Sequence, residues 1–122
     1  MGKFCAASEA ELEVLEKLWD LNEGVKQSQL LALFEADGKE WKRQTLNTFL
    51  SRLEEKGFVT REHRIVRTVV SREDYHYKQI QAAIDAMYGG RLSNLVAAYY
   101  KDKRISESEK KELKRIVETY EG

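Results

Sequence analysis

The 122-residue chain has no proline, one cysteine and two histidines. No stretch of it approaches the roughly 18 uninterrupted apolar residues that a membrane helix needs. Each shortage excludes something. Without proline nothing interrupts a helix by removing an N–H donor, which fits a mostly helical chain. One thiol, Cys5, cannot close an internal disulfide, and with two histidines it cannot complete a metal site. No metal and no cofactor are therefore expected. A catalytic Cys5 competes with the plainer reading of a partly ordered N-terminal residue. The opening "MGKFCAASEAE" lacks the apolar run of a signal peptide, so a soluble, cytoplasmic protein is the expectation. No paired-carboxylate, Cys/His or glycine-rich phosphate constellation occurs at useful spacing. The pair Gly89–Gly90 lacks the strand context of a nucleotide loop and reads as a helix break. The chain is not expected to be an enzyme.

What is present is charge, unevenly spread. Lysine plus arginine and aspartate plus glutamate number 21 each, for a formal net charge of zero. Residues 1–40 hold 4 basic and 9 acidic side chains, a balance of −5. Residues 41–72 hold 8 and 3, a balance of +5, and residues 73–122 hold 9 of each. One segment is positive, and a clustered basic surface is the footprint of a polyanion-binding face. The bland alternative is a solvated face balanced by nearby acids.

Periodicity organises the chain. Ser8 stands three residues ahead of Glu11, the capping-box spacing, and Leu12, Leu15, Leu18 and Trp19 follow at helical intervals, predicting a helix over 9–20. Gly24 is its expected stop. A second helix is expected over about 26–36, with Leu30, Leu31, Leu33 and Phe34 as its buried stripe. The stretch "WKRQTLNTFLSRLEEKG" carries Leu46, Phe49, Leu50 and Leu53 at i, i+3, i+4 and i+7. It predicts a third helix over about 42–56, closed by Gly57 in a left-handed conformation. Two short β-branched strands follow, "FVTREH" and "RIVRTVV", joined by a tight turn near His63 and Arg64. Further helices are expected over 72–88, 91–100 and from Ser106 onward, with Ser71 and Ser106 as caps. The natural boundary lies near residue 72, dividing the chain into 1–72 and 73–122.

Three helices and a hairpin in about 70 residues are the winged helix-turn-helix plan, whose third helix enters the major groove. If the leucine stripe of that helix faces the core, Arg43, Gln44, Asn47, Thr48 and Ser51 point outward. Arginine pairs with guanine, glutamine or asparagine with adenine, and the threonine methyl packs on the thymine methyl. Arg43, Gln44, Asn47 and Thr48 are the candidate base readers. Lys42, Thr45, Ser51, Arg52, Arg61, Arg64 and Arg67 are the candidate contacts to the DNA backbone. The alternatives are ordinary ones. Gln44 and Asn47 could be solvated helix residues, and Arg52 could pair with Glu55 or Glu40. Trp41 is expected to be a core plug, with a base-stacking platform as its alternative.

The segments "SEAELEVLEKLW", "WKRQTLNTFLSRLEEKGFVTRE" and "VSREDY" together resemble the penicillinase and methicillin-resistance repressors. The pattern is carried by Thr45, Thr48, Leu50, Arg52, Leu53, Lys56 and Gly57, and "YGGRLSNLV" is similar to the start of that family's dimerisation tail. The resemblance covers nearly the whole chain. It implies a dimeric repressor on a palindromic operator, often of TACA/TGTA type, ahead of β-lactam-resistance genes. It also implies release by cleavage in the dimerisation region after a signal from a membrane sensor, here at Ala98–Tyr99, where the family more often has Asn-Phe. The copper-responsive branch has a C-terminal cysteine cluster, and this chain has no cysteine after Cys5. The hairpin is shorter than the family's, so a stubby wing is expected.

The last third holds too many apolar side chains to leave in water. Tyr77, Ile80, Ile84, Leu92, Leu95, Val96, Tyr99, Ile116 and Val117 are the candidate dimer interface, and a two-fold would set two recognition helices one DNA turn apart. A monomer whose tail folds back on the first domain is the alternative. The competing function is a winged helix used only for protein–protein contact, without DNA binding.

Overall fold

The computed structural model describes residues 4–120. The chain is mainly helical: α1 (Glu9–Leu21), β1 (Val25–Lys26), α2 (Gln27–Ala36), α3 (Arg43–Glu55), β2 (Val59–Glu62), β3 (Ile65–Thr68), α4 (Arg72–Tyr88), α5 (Leu92–Tyr99) and α6 (Glu107–Thr119). The contacts divide it into two compact units, Met1–Ile80 and Gln81–Gly122.

In the first unit the helix ends follow their capping chemistry. Ser8 Oγ accepts from Glu11 N, and Glu11 Oε1 accepts from Ser8 N, closing the capping box. The stop of α1 differs from expectation. Asn22, not Gly24, takes the left-handed conformation (φ 53°), and its N–H bonds back to Leu18 O. Asparagine tolerates that region because its short polar side chain bonds locally. Gly24 serves a different need. A Cβ there would lie 2.6 Å from Ile65 Cγ2 and 2.7 Å from Arg67 Cζ, so only glycine lets the chain pass this close to β3.

The close pass has a consequence that the sequence did not signal. Val25 and Lys26 pair antiparallel with Val66 and Ile65, adding a third strand in the order β1-β3-β2. Two residues are too few to show a period. The hairpin itself pairs Val59 to Glu62 with Thr68 to Ile65. Its two turn residues, His63 and Arg64, both have positive φ (52° and 68°), the mirror-image turn that suits strand twist.

The core collects one stripe from each element: Val14, Leu15 and Leu18 of α1, Leu30 and Phe34 of α2, Leu46, Leu50 and Leu53 of α3, and Phe58, Val59 and Val66 of the wing. Leu33 of the expected stripe is exposed. Trp41 is a core plug, its ring 4.7 Å from Phe34 and 5.0 Å from Phe49. Tyr75 of α4 is fully buried in the same core, edge-on to Phe58, and its hydroxyl accepts from Ala7 N at 2.9 Å. Trp19 Nε1 donates to Val70 O at 2.9 Å, pinning the segment between wing and α4. The sequence singled out Tyr77, as a candidate for the dimer interface, and passed over Tyr75, which lies on another face of the same helix.

Glu11 is buried and ion-paired with Lys56, which also donates to Ala6 O. Burial alone would raise the Glu11 pKa. The hydrogen bond from Lys56, the two from Ser8 and the Lys56 charge outweigh it and hold the carboxyl below its usual value.

In the second unit, among the described residues, neither α5 nor α6 contributes a buried residue. Ser106 Oγ caps α6 by accepting from Glu109 N. Tyr100 follows α5, and its hydrogen bond to Glu109 in the first turn of α6 pushes its phenol up to about 12.

Candidate nucleic-acid interface

The leucines of α3 turn inward and leave its other face to solvent. Arg43, Gln44 and Asn47 of that face share a groove of about 1050 Å³ with Arg64 of the wing turn and with Lys26, Gln27 and Ser28 at the start of α2. The last three were not foreseen. The available signal was "KQS" at the start of a helix, where backbone N–H groups and a lysine converge.

Thr48 Oγ1 donates to Gln44 O at 3.0 Å within the helix. Its hydroxyl is thereby engaged, and its methyl remains as the apolar surface of that position. Ser51 and Asn47 meet the wing: Ser51 Oγ and Asn47 Oδ1 each accept from Arg61. Arg61 also makes an ion pair with Glu54. Thr45 is half-buried beside Leu46, and Arg52 is exposed.

The charges around this face are uncompensated. Among the described residues, Lys26, Lys42, Arg43, Arg52, Arg64 and Arg67 join no ion pair, whereas Lys17, Lys39, Lys56, Arg61 and Arg72 each have an acidic partner. Arg52 pairs with neither Glu55 nor Glu40. The acids of α1 spend their charge on Lys39, Lys56 and Arg72, away from the groove. Of the eight cations of residues 41–72, Lys56 and Arg72 are taken by acids of α1 and Arg61 by Glu54, while Lys42, Arg43, Arg52, Arg64 and Arg67 stay unpaired among the described residues as a local positive field. Such an arrangement suits phosphates, since exposed cations release counterions on contact with a polyanion.

The expected interface residues of the last third form a separate set. Tyr77, Ile80, Leu92, Tyr99, Ile116 and Val117 are exposed in the single chain, at between 42% and 69%. Ile84, Leu95 and Val96 are half-buried. Ala98 and Tyr99 lie in the last turn of α5 and are exposed. No group of three or more potential metal ligands occurs among the described residues. No helix among them is long and apolar enough to cross a membrane.

A helix-turn-helix followed by a small antiparallel wing, with its third helix outward and cations unpaired around it, is the winged-helix architecture of DNA-binding regulators. The chain belongs to the penicillinase repressor family, whose model matches residues 7–119. The family is one of transcriptional repressors. The methicillin resistance regulatory protein MecI of Staphylococcus aureus strain N315 is 27% identical over 114 residues, covering 90% of this chain and 91% of that one. MecI of Mammaliicoccus sciuri is 26% identical over the same length. MecI of Staphylococcus aureus strain Mu50 is 30% identical over 83 residues, 65% of this chain and 68% of its own.

Proposed function

We propose that the protein is a homodimeric cytoplasmic repressor that binds a palindromic operator and controls β-lactam-resistance genes. Residues 1–72 bind DNA and residues 73–122 pair two copies. The observation that carries the DNA-binding half is the groove in which Arg43, Gln44 and Asn47 meet unpaired Lys26 and Arg64. Arg43, Gln44, Asn47 and Thr48 read base edges, while Lys42, Arg64, Arg67 and the start of α2 hold phosphates. Thr45, Ser51 and Arg52 flank the reading face.

The pairing half is supported by the uncovered apolar faces of α4, α5 and α6, which a second copy would remove from water. Each fully buried large apolar side chain contributes about 1.5–3 kcal/mol. Pairing links two half-site contacts, and loss of the link weakens binding without touching the reading helix. Release follows cleavage at Ala98–Tyr99, at the end of a membrane-sensor pathway. That bond lies in a helix, and Tyr100 N still bonds to Val96 O, so the last turn of α5 must open before a protease can hold it extended.

Fluorescence anisotropy with a TACA/TGTA palindrome and a scrambled duplex, over a range of salt, tests the DNA-binding part. The expected result is tighter binding to the palindrome with a steep fall as salt rises. Salt-insensitive or absent binding would point to a protein–protein module instead.

A further inference from the structure

Arg61 carries one of the eight positive charges of residues 41–72, and by charge alone it belongs against a phosphate. Its surroundings say otherwise. It lies on β2 with its side chain 22% exposed, turned onto the outward stripe of α3. Nη1 donates to Asn47 Oδ1 at 2.8 Å and to Gln27 Oε1 at 3.3 Å. Nη2 donates to Ser51 Oγ at 2.9 Å and to Glu54 Oε1 at 2.6 Å. Nε donates to Glu54 Oε1 at 2.9 Å. A guanidinium has five N–H donors in a rigid planar fork, and here each has a protein acceptor. No donor remains for a phosphate oxygen, and Glu54 already balances the charge.

We propose that Arg61 is a positioning residue that sets the base preference of Asn47, an inference that rests on the DNA-reading function proposed above. Asn47, Ser51 and Glu54 fall at i, i+4 and i+7, stacked on one side of α3. The fork spans all three and ties them to the wing and to α2. An asparagine amide offers an acceptor at one end and donors at the other, and a freely turning amide presents either. Arg61 engages Oδ1, which fixes the amide and leaves Nδ2 as the end without a protein partner among the described residues. A donor meets the acceptors of guanine, adenine or thymine in the major groove, whereas cytosine presents only its own donor there. Asn47 therefore acts as a fixed donor that excludes cytosine at one operator position.

The test is a set of operator duplexes with each position changed in turn, titrated with the full-length protein and with Arg61→Met, Arg61→Lys and Asn47→Ala. The wild type should penalise cytosine about tenfold at one position, the size of a good base contact. Arg61→Met should shrink that penalty to about twofold there and leave other positions and the salt dependence unchanged. Arg61→Lys should behave alike, because an ammonium cannot span four residues' acceptors in one plane. In the Asn47→Ala background neither change should have any further effect on selectivity. Thermal melts followed by circular dichroism show that each variant is folded, and Arg61→Lys, which keeps the charge beside Glu54, carries the test alone if Arg61→Met is not. A uniform loss of affinity across all duplexes, with the salt slope reduced by about one, would make Arg61 a phosphate contact and overturn the proposal. Full retention of selectivity in both variants would overturn it too. A wild type with no sequence preference and no salt dependence sinks the DNA-reading function itself. A wild type that selects, with variants that select equally, sinks only the role of Arg61.

Discussion

Arg64 sits at the tip of the wing turn with φ 68°, a region that costs a non-glycine residue about 1–2 kcal/mol. An arginine in that position exchanges stability for a cation in the groove. Arg64→Gly should therefore raise the unfolding free energy by about 1 kcal/mol, measured by urea denaturation. The same variant should bind DNA more weakly, with a shallower salt slope. Gain of stability without loss of binding would show that Arg64 contacts no phosphate. Glu11 makes a second residue-scale case. Its carboxyl is held below its ordinary value of 4.5. A group lowered in the folded state contributes fully above that ordinary value, and its contribution is lost as the pH falls toward the lowered one. Glu11→Gln should cost about 2 kcal/mol at neutral pH, the worth of a hydrogen bond to a charged group. The cost should shrink progressively in acid below about pH 4.5. Equal cost at pH 7 and pH 3 would show that the ion pair with Lys56 is not its source.

At the scale of elements, the start of α2 is tied to the wing by a short third strand, β1 on β3, whose close approach depends on one glycine. Gly24→Ala would push a Cβ to 2.6 Å from Ile65 Cγ2, so either β1 leaves β3 or the wing shifts. The expected cost is about 1–3 kcal/mol, the range for overpacking a tight site. Amide exchange should show it first at Val25, Lys26, Ile65 and Val66, before α1 or α3 is affected. On α3 itself, Asn47→Ala or Thr48→Ala should lower operator preference more than affinity for a scrambled duplex. Equal loss on both duplexes would mean that this face reads no bases. Much at this scale was legible beforehand. The long helices carry apolar stripes that repeat for several turns, and serine caps mark the starts of α1 and α4, so α1, α3 and α4 fall within a residue of their expected bounds. The partners of Arg61 were not legible, because helical period links Asn47, Ser51 and Glu54 to one another but no linear rule links them to Arg61 of β2 or Gln27 of α2.

For the whole molecule the decisive feature is how little α5 and α6 bury by themselves. Removing residues 99–122 should give a chain that sediments as a monomer and binds the operator weakly, with its winged unit still folded by circular dichroism. A truncated chain that still sediments as a dimer would refute cleavage as the means of release. The positive patch, the reading helix and the apolar tail are distinct features, so a cut in the tail can change affinity without altering what is read.

The sequence by itself determined the class of fold, the order of its elements and the sign of its charged face. Those follow from local period, capping and composition, which act over a few residues. Only the tertiary structure decided which cations stay unpaired, that Tyr75 enters the core, that Asn22 ends α1 while Gly24 makes room for the wing, and that Arg61 turns inward. Each of those depends on groups far apart in the chain. Their distances are set by packing the three helices on the wing, and no local rule contains them.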